Sequence, residues 1–353
     1  MQKVKCAVLG ATGVVGQHFL KLLNGHPYFD LTAICASDAR TGKKLAEMKE
    51  HVKGGIPAEF GDMTFDPIDV EILVKKDVQV VFSALPADVA VNIEKEAAKK
   101  GLKVFSNASS YRMDDNVPIL IPELNFPHID LIKNQQKETK GFIITNANCT
   151  TTGLTMALLP VIPMGIQKMV VASYQAISGA GYPGLSAMDI NGNVIPYINK
   201  EEPKLLAECK KICGTFATEK IQPVDWEIHA HCIRVPTIVG HLISVHIELE
   251  KDTDYNTVLE NIKNYKTPQA VAGLPTTPDQ PVIYVDQVDR PQPRYDVNIG
   301  TPERAMGMAV AIGRLQVDKN IIRFITLSNN LVRGAAGGSV LNAELAFRNN
   351  LLS

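Results

Sequence analysis

Neither sign of charge is in excess in this chain: 36 Lys+Arg stand against 37 Asp+Glu in 353 residues, a formal net charge of −1. That balance excludes a chain-wide basic footprint for nucleic acid or an acidic membrane surface. No apolar run reaches the ~18 residues that a membrane-spanning helix needs. Internal repeats, low-complexity blocks and long linkers are also missing. The six cysteines contain no Cys-x-x-Cys pair and form no disulfide framework. Lys3 and Lys5 precede an apolar stretch, but Gly10, Gly13 and Gly16 break it and no Ala-x-Ala cleavage site follows, which excludes an export signal. The expectation is a reduced, cytoplasmic protein with no nucleic-acid or membrane partner. With 45% hydrophobic and 21% charged residues it is an ordinary globular composition, long enough for two or three domains.

The first third of the chain alternates short apolar runs with amphipathic stretches, the pattern of βαβ units around a parallel sheet. Strands are predicted at Val4–Leu9, Leu31–Ala36, Val78–Ala84, Val104–Ser106 and Phe142–Thr145, with helices at Gly13–Leu23 and Ala87–Lys100. Beyond about Thr150 the runs become long and β-rich: Lys168–Ile177, Ile228–Glu250, Met308–Val317 and Ile321–Ser328. This predicts an α+β second domain with a mainly antiparallel sheet, suited to pairing with another subunit. The final Leu331–Asn350 reads as a helix that packs back onto the first domain. The expected division is residues 1–148 with 331–353 in an α/β domain on the parallel sheet, and 149–330 in the second domain.

The first strand runs into Gly10-Ala-Thr-Gly13-Val-Val-Gly16 and then a helix. Glycines allow the tight turn and close backbone approach that a pyrophosphate needs, and the helix N-terminus supplies free N–H groups. After the second strand the sequence reads Ser37-Asp38-Ala39-Arg40-Thr41-Gly42-Lys43-Lys44. Asp38 suits a ribose diol, whereas Ser37, Arg40, Thr41 and Lys43 suit a 2′-phosphate, so NADP is expected over NAD.

Cys6 and Cys35 lie in apolar strands, and Cys209 and Cys213 share a helical face. Cys149 stands apart in Asn146-Ala-Asn148-Cys149-Thr-Thr, between a strand and an apolar helix. A thiol at a helix N-terminus has its thiolate favoured by the dipole and unpaired amides, which predicts a lowered pKa. A nucleophilic thiolate needs a proton carrier, and His241, in phase with Ile243, Val245, Ile247 and Leu249, faces the apolar side of its strand. A hydrogen-bonded core histidine fits that parity as well. His229-x-His231-Cys232 looks metal-like but lacks the remaining ligand spacing, so no metal is expected.

The glycine loop, Asn107-Ala-Ser-Ser-Tyr-Arg112-Met, Asn148-Cys149-Thr-Thr, Gln175-Ala-Ile-Ser178-Gly179-Ala-Gly181, Glu201-Glu-Pro-Lys204, Arg234-x6-His241 and Asn329-Asn330-Leu resemble aspartate-β-semialdehyde dehydrogenases. The match spans nearly the whole chain in order and implies a Rossmann-type NADP-binding domain at residues 1–148 with 331–353, and a catalytic and oligomerisation domain at 149–330. The wording of Gly181-Tyr-Pro-Gly and Arg333-Gly-Ala-Ala-Gly-Gly is nearest the archaeal and fungal branch. The resemblance implies Cys149 as nucleophile, His241 as acid/base and Gln175 as an orienting group. It implies Arg234 on the substrate carboxylate, Glu201 on its ammonium, and Arg112 and Lys204 on phosphate, with Asn148 beside them. Gly10, Thr12, Gly13, Val14 and Val15 would hold the NADP diphosphate, and Ser178, Gly179 and Asn330 the nicotinamide. The implied partners are aspartyl phosphate, aspartate semialdehyde, inorganic phosphate and further copies of the chain, as a homodimer or homotetramer.

The implied reaction is reductive dephosphorylation of aspartyl-β-phosphate through a Cys149 thioester, feeding lysine, threonine and methionine synthesis. A malonyl-CoA reductase would share the fold, cysteine, NADPH and histidine but has no use for the Glu201/Lys204 pair. An N-acetylglutamyl-phosphate reductase is further away in motif wording. A non-catalytic NADP-binding regulator leaves Asn148-Cys149 and Arg234-x6-His241 without a purpose.

Overall fold

The structure, a computed structural model, describes residues 2–217 and 219–352. Six strands, β1 (Val4–Leu9), β2 (Phe29–Ala36), β3 (Phe65–Pro67), β4 (Val80–Ser83), β5 (Lys103–Ser106) and β6 (Phe142–Thr145), form one sheet in the order β3-β2-β1-β4-β5-β6. All of its pairings are parallel. Residues Cys6 to Leu9 are at most 1% exposed, covered on both faces, which is why β1 reads as an unbroken apolar run. The flanking α1 (Val14–Leu23) and α2 (Ala87–Lys99) are the crossovers that parallel neighbours require. Strand order reverses between β1 and β4, and ligands of such sheets bind at that point, beyond the carboxyl ends of the strands.

The second sheet contains β7 (Ile166–Gln175), β10 (Glu227–Arg234), β11 (His241–Leu249), β12 (Val282–Tyr284), β13 (Val310–Asp318) and β14 (Ile321–Ser328), in the order β10-β7-β11-β14-β13-β12. A small hairpin of β8 (Thr215–Ala217) and β9 (Lys220–Gln222) stands beside it. The three central pairings are antiparallel, as the sequence predicts, but both outer ones are parallel, so the sheet is mixed. The β7–β10 pairing is parallel, and a helix at Glu201–Ile212 lies in the long connection that such a pairing needs. The predicted single run Ile228–Glu250 divides at Pro236 and Gly240, the latter at φ +103°, so that Arg234 ends β10 and His241 begins β11.

Helix α3 (Cys149–Leu158) joins the two sheets, and residues Thr150 to Leu158 are all buried. Two of its threonines are accommodated by donating to the turn before, Thr152 Oγ1 to Asn148 O at 3.0 Å and Thr155 Oγ1 to Thr151 O at 2.8 Å, while Leu154, Met156 and Leu158 each contribute on the order of 1.5–3 kcal/mol by burial. Gly153 allows its close approach to β14, since a Cβ there would lie 2.2 Å from Ser328 Oγ. α4 (Glu201–Ile212) and α5 (Tyr255–Asn264) cover the same face of the second sheet as α3. The chain ends in a π-turn (Val332–Ala336) and α6 (Gly337–Arg348), whose Val340, Leu341 and Leu345 lie in one core with Phe19, Leu20 and Phe29. Buried Glu344 of α6 meets His26 at 2.8 Å and accepts from the Thr276 N–H and hydroxyl. Among the described residues no helix is long and apolar enough to cross a membrane.

Candidate active site

The glycine loop leaves β1 at Gly10, whose φ is +74° and where a Cβ would meet Ala84 O at 2.8 Å. At Gly16 a Cβ would lie 2.2 Å from Gly10 O, so the first turn of α1 folds directly onto the loop. Gly13 caps α1 with no side-chain hydrogen bond, leaving the first-turn amides to an incoming anion. Thr12, Val14 and Val15 are half-buried around it. This cradle of glycines and bare amides fits a dinucleotide diphosphate. Beyond β2, Ser37, Arg40, Thr41 and Lys43 are exposed around a short turn at Asp38–Arg40, and the side chains of Arg40 and Lys43 make no ion pair among the described residues. The neighbouring Lys44 is instead drawn to Asp62 at 2.7 Å.

Cys149 is the first residue of α3, and Asn148 is its N-cap: Asn148 Oδ1 accepts from the Thr150 and Thr151 N–H groups at 2.9 and 3.2 Å. Cys149 Sγ lies 3.2 Å from His241 Nε2. The parity expected of β11 holds, with His241, Ile243, Val245, Ile247 and Leu249 at most 1% exposed. Buried Glu201 receives Asn148 Nδ2 at 2.9 Å and Thr150 Oγ1 at 3.3 Å. Buried Arg234 donates from Nη1 to Ala176 O at 2.6 Å. Gly179 lies against both groups: a Cβ there would come within 2.8 Å of Arg234 Nη1 and 3.1 Å of the His241 ring. Asn330 Nδ2 donates to Ser178 Oγ at 2.9 Å and its Oδ1 accepts from Gly240 N at 2.8 Å, tying the Ser178 turn to the start of β11.

Arg112 donates from Nη1 to Glu208 Oε1 at 3.0 Å and from Nη2 to Asn107 O at 2.8 Å, while its buried Nε has no partner among the described residues. An unpaired guanidinium N–H is costly unless an anion meets it. Gln175 donates to Ser173 Oγ at 3.1 Å, and no hydrogen bond links it to Cys149. Lys204, half-buried one turn along α4 from Glu201, makes no hydrogen bond or ion pair among the described residues.

The electrostatics depart from the sequence-based expectation. Instead of being lowered, the Cys149 thiol is pushed up to about 12, first by burial and then by the Glu201 carboxylate. Arg112, Arg234 and the Thr150 amide pull the other way, so the helix terminus acts as expected but burial exceeds it. Burial, followed by the Arg234 charge, lowers His241 to about 3.

Several supporting residues carry no sequence signal. Glu208 accepts from Arg112 with one oxygen and from the Asn148 N–H with the other, at 2.6 Å, so one buried carboxylate aligns the guanidinium and the N-terminus of α3. Lys211 Nζ donates to the carbonyls of Arg112, Asp114 and Val117 at 2.6–2.9 Å, clamping the Arg112 loop. Gly334 of the π-turn sits behind Cys149, and its neighbour Arg333 makes a buried two-pronged pair with Glu123 at 2.6 and 2.8 Å. Their separations in the chain, 60 residues or more in each of these side-chain contacts, hide them from any local pattern.

The comparisons with known proteins agree with this geometry. Residues 5–132 match the family model described as "Semialdehyde dehydrogenase, NAD binding domain", and residues 158–333 the "Semialdehyde dehydrogenase, dimerisation domain". An aspartate-semialdehyde dehydrogenase of Archaeoglobus fulgidus is 41% identical over 98% of each chain. A malonyl-CoA reductase (NADP) of Metallosphaera sedula is 36% identical over 97% of this chain and 96% of its own. A crystal structure of the Candida albicans aspartate-semialdehyde dehydrogenase with NADP superposes with a TM-score of 0.88 at 35% identity, covering 99% of both chains. By its motifs, its two domain matches and these full-length relatives, the chain belongs to the aspartate-semialdehyde dehydrogenase family.

Proposed function

We propose that this protein reduces L-aspartyl-4-phosphate to L-aspartate 4-semialdehyde with NADPH, and that Cys149 is its nucleophile. The observation that carries the reading is the Cys149–His241 contact at 3.2 Å, set at a helix N-terminus among Arg112, Arg234 and Glu201. Two cations and one carboxylate match a zwitterionic amino acid bearing an acyl phosphate. Arg234 takes the α-carboxylate, Glu201 the α-ammonium, and Arg112 with Lys204 the phosphate, with Asn148 fixing Glu201. Gln175 borders the site at the end of β7.

Cys149 Sγ attacks the acyl carbon, the carbonyl pair moves to oxygen, and it returns as the bond to phosphate breaks and phosphate leaves with that pair. The product is a thioester on Cys149. NADPH, when bound by Gly10, Thr12, Gly13, Val14 and Val15 at the diphosphate, by Ser37, Arg40, Thr41 and Lys43 at the 2′-phosphate, and by Ser178, Gly179 and Asn330 at the nicotinamide, supplies a hydride to that carbonyl. The aldehyde leaves as the C–S bond breaks back to sulfur. The ammonium of the substrate beside Glu201 offsets the carboxylate that raises the thiol, so substrate binding itself favours the thiolate.

A malonyl-CoA reductase remains the rival among relatives, and Glu201, buried and held by Asn148 and Thr150, favours an amino acid instead. Phosphate-dependent reduction of NADP by aspartate semialdehyde, run beside NADPH oxidation by malonyl-CoA, tests the choice. Activity with malonyl-CoA alone would overturn it. The assembly is read as a homodimer, or a tetramer built from it, in the cytoplasm. One face of the second sheet bears α3, α4 and α5, while its other face is left open, with Val170 44% exposed in a row with His246 and Arg323. The domains are assigned as residues 1–148 with 331–353, and 149–330.

A further inference from the structure

Lys49 and His51 lie in the loop that follows β2, and Tyr182 lies in the loop that follows β7, 133 residues beyond Lys49. Their side chains meet. The Tyr182 ring stacks on the His51 imidazole with centroids 4.1 Å apart, and Lys49 Nζ donates to the Tyr182 hydroxyl at 2.8 Å. The same ammonium lies 5.0 Å from the centre of the ring. Burial, then the Lys49 charge, holds His51 below its ordinary value, so it stacks as a neutral ring and Lys49 supplies the positive charge. Tyr182 is 57% exposed, so this contact sits at the surface and is no part of a core.

Each side of the contact is anchored at a loop that the cofactor would touch. Buried Gln17 of α1 donates from Nε2 to Lys49 O at 2.8 Å and to Thr12 O at 3.3 Å, while its Oε1 accepts from His51 N at 2.7 Å. One side-chain amide thus fixes the Lys49–His51 segment to the glycine loop. On the other side, Tyr182 follows Gly179, which lies against Arg234 and His241. Gly181 and Gly184, at φ +73° and +82°, turn the chain before and after it. A dinucleotide with its diphosphate on the glycine loop and its nicotinamide beside Gly179 must run from one anchor to the other. The Tyr182–His51 contact joins the same two anchors by a second route, on the solvent side.

We propose that Lys49, His51 and Tyr182 form a clasp over the middle of the bound NADP, which must part for the cofactor to enter or leave. This rests on the reading of the glycine loop as the diphosphate site. Lys49 makes no ion pair among the described residues, which leaves its charge to the diphosphate. One ring stack and one exposed hydrogen bond are weak enough to open in every catalytic cycle.

Release of NADPH from the full chain, chased with excess NADP and followed by NADPH fluorescence in stopped flow, tests the clasp. Tyr182→Ala removes the ring and the hydroxyl together and is expected to speed release by about tenfold or more. The cofactor-free variant should unfold at the wild-type temperature, since the ring is exposed. Release at the wild-type rate overturns the proposal. Hydrogen exchange on the unaltered protein gives a second reading. NADPH is expected to slow exchange in peptides covering Lys49–His51 and Tyr182 as well as the glycine loop, and protection confined to the glycine loop overturns the proposal. Failure of the wild type to bind NADPH at all would instead refute the cofactor reading on which it rests.

Discussion

Gly334→Ala adds a single methyl group, yet it should strike Cys149, the proposed nucleophile, directly. The methyl would sit 2.7 Å from Cys149 Cβ and 2.9 Å from its Cα, about 0.7 Å short of the 3.4 Å at which ordinary contact begins. Gly334 has no positive φ to lose, so the substitution acts through space alone. Neither side yields cheaply. Cys149 opens a helix buried on every side, and the π-turn is held by the Arg333–Glu123 pair. Overpacking of this kind costs roughly 1–3 kcal/mol, a few degrees in Tm for a protein of this size. A reacting atom misplaced by about 1 Å loses up to about 100-fold in rate, so a displacement of about 0.7 Å should lower kcat by roughly 10- to 100-fold. Thermal unfolding, with steady-state kcat and the rate of Cys149 alkylation, reads both effects. Wild-type Tm and kcat together would refute the packing argument. A lower Tm with unchanged kcat would leave the packing intact and sink the seating of the nucleophile.

Glu208→Gln leaves Arg112 and the Asn148 amide without their shared charge, and breaking a buried pair costs about 3–5 kcal/mol. Its KM for phosphate should rise and its Tm fall, and an unchanged KM would separate Arg112 from the anion. Arg40→Ala with Lys43→Ala should raise KM for NADPH at least about tenfold more than KM for NADH, because only the 2′-phosphate calls on these cations. Equal losses would place them elsewhere. His18 and His128, both lowered to about 4, and His241, lowered to about 3, are held neutral by burial, so an unfolded chain takes up protons that the folded one refuses. Stability from these groups is therefore full above pH 6.5 and falls between pH 6.5 and about 4, each proton contributing ~1.4 kcal/mol per pH unit. Urea midpoints at pH 7, 6 and 5 check this, and a flat series would contradict it.

Cys149 was legible as a candidate because its position between a strand and a helix is a local fact. Asn148, as the residue before it, shares that legibility. His241 was legible only by strand parity, which fits an inert core histidine equally well; what the fold adds is the 3.2 Å contact with Cys149 across 92 residues. The thiol's pKa could not be read, since the sequence displays the helix terminus but not the burial that outweighs it. Glu208 and Lys211 read as ordinary helical charges because their partners are supplied by other segments. The hydrogen bond from the Ala176 N–H to His241 Nδ1, at 3.1 Å, is invisible for a different reason: every residue but proline has an amide N–H, and only the fold aims this one at an imidazole. The parallel outer pairings of the second sheet were likewise missed, as a strand's own residues say nothing of which neighbour it joins.

The return of α6 to the first sheet has a consequence for synthesis. Val340, Leu341 and Leu345 fill the same core as Phe19 and Phe29, so the first domain lacks part of its interior until α6 is made. The second sheet is complete at Ser328, before α6 begins at Gly337. On a ribosome, where domains ordinarily fold in the order in which they emerge, the segment made first must therefore wait, its apolar face open, while the segment made second closes. Only when α6 is made does Glu344 reach His26, at the amino end of β2, and the core around Phe19 and Phe29 close.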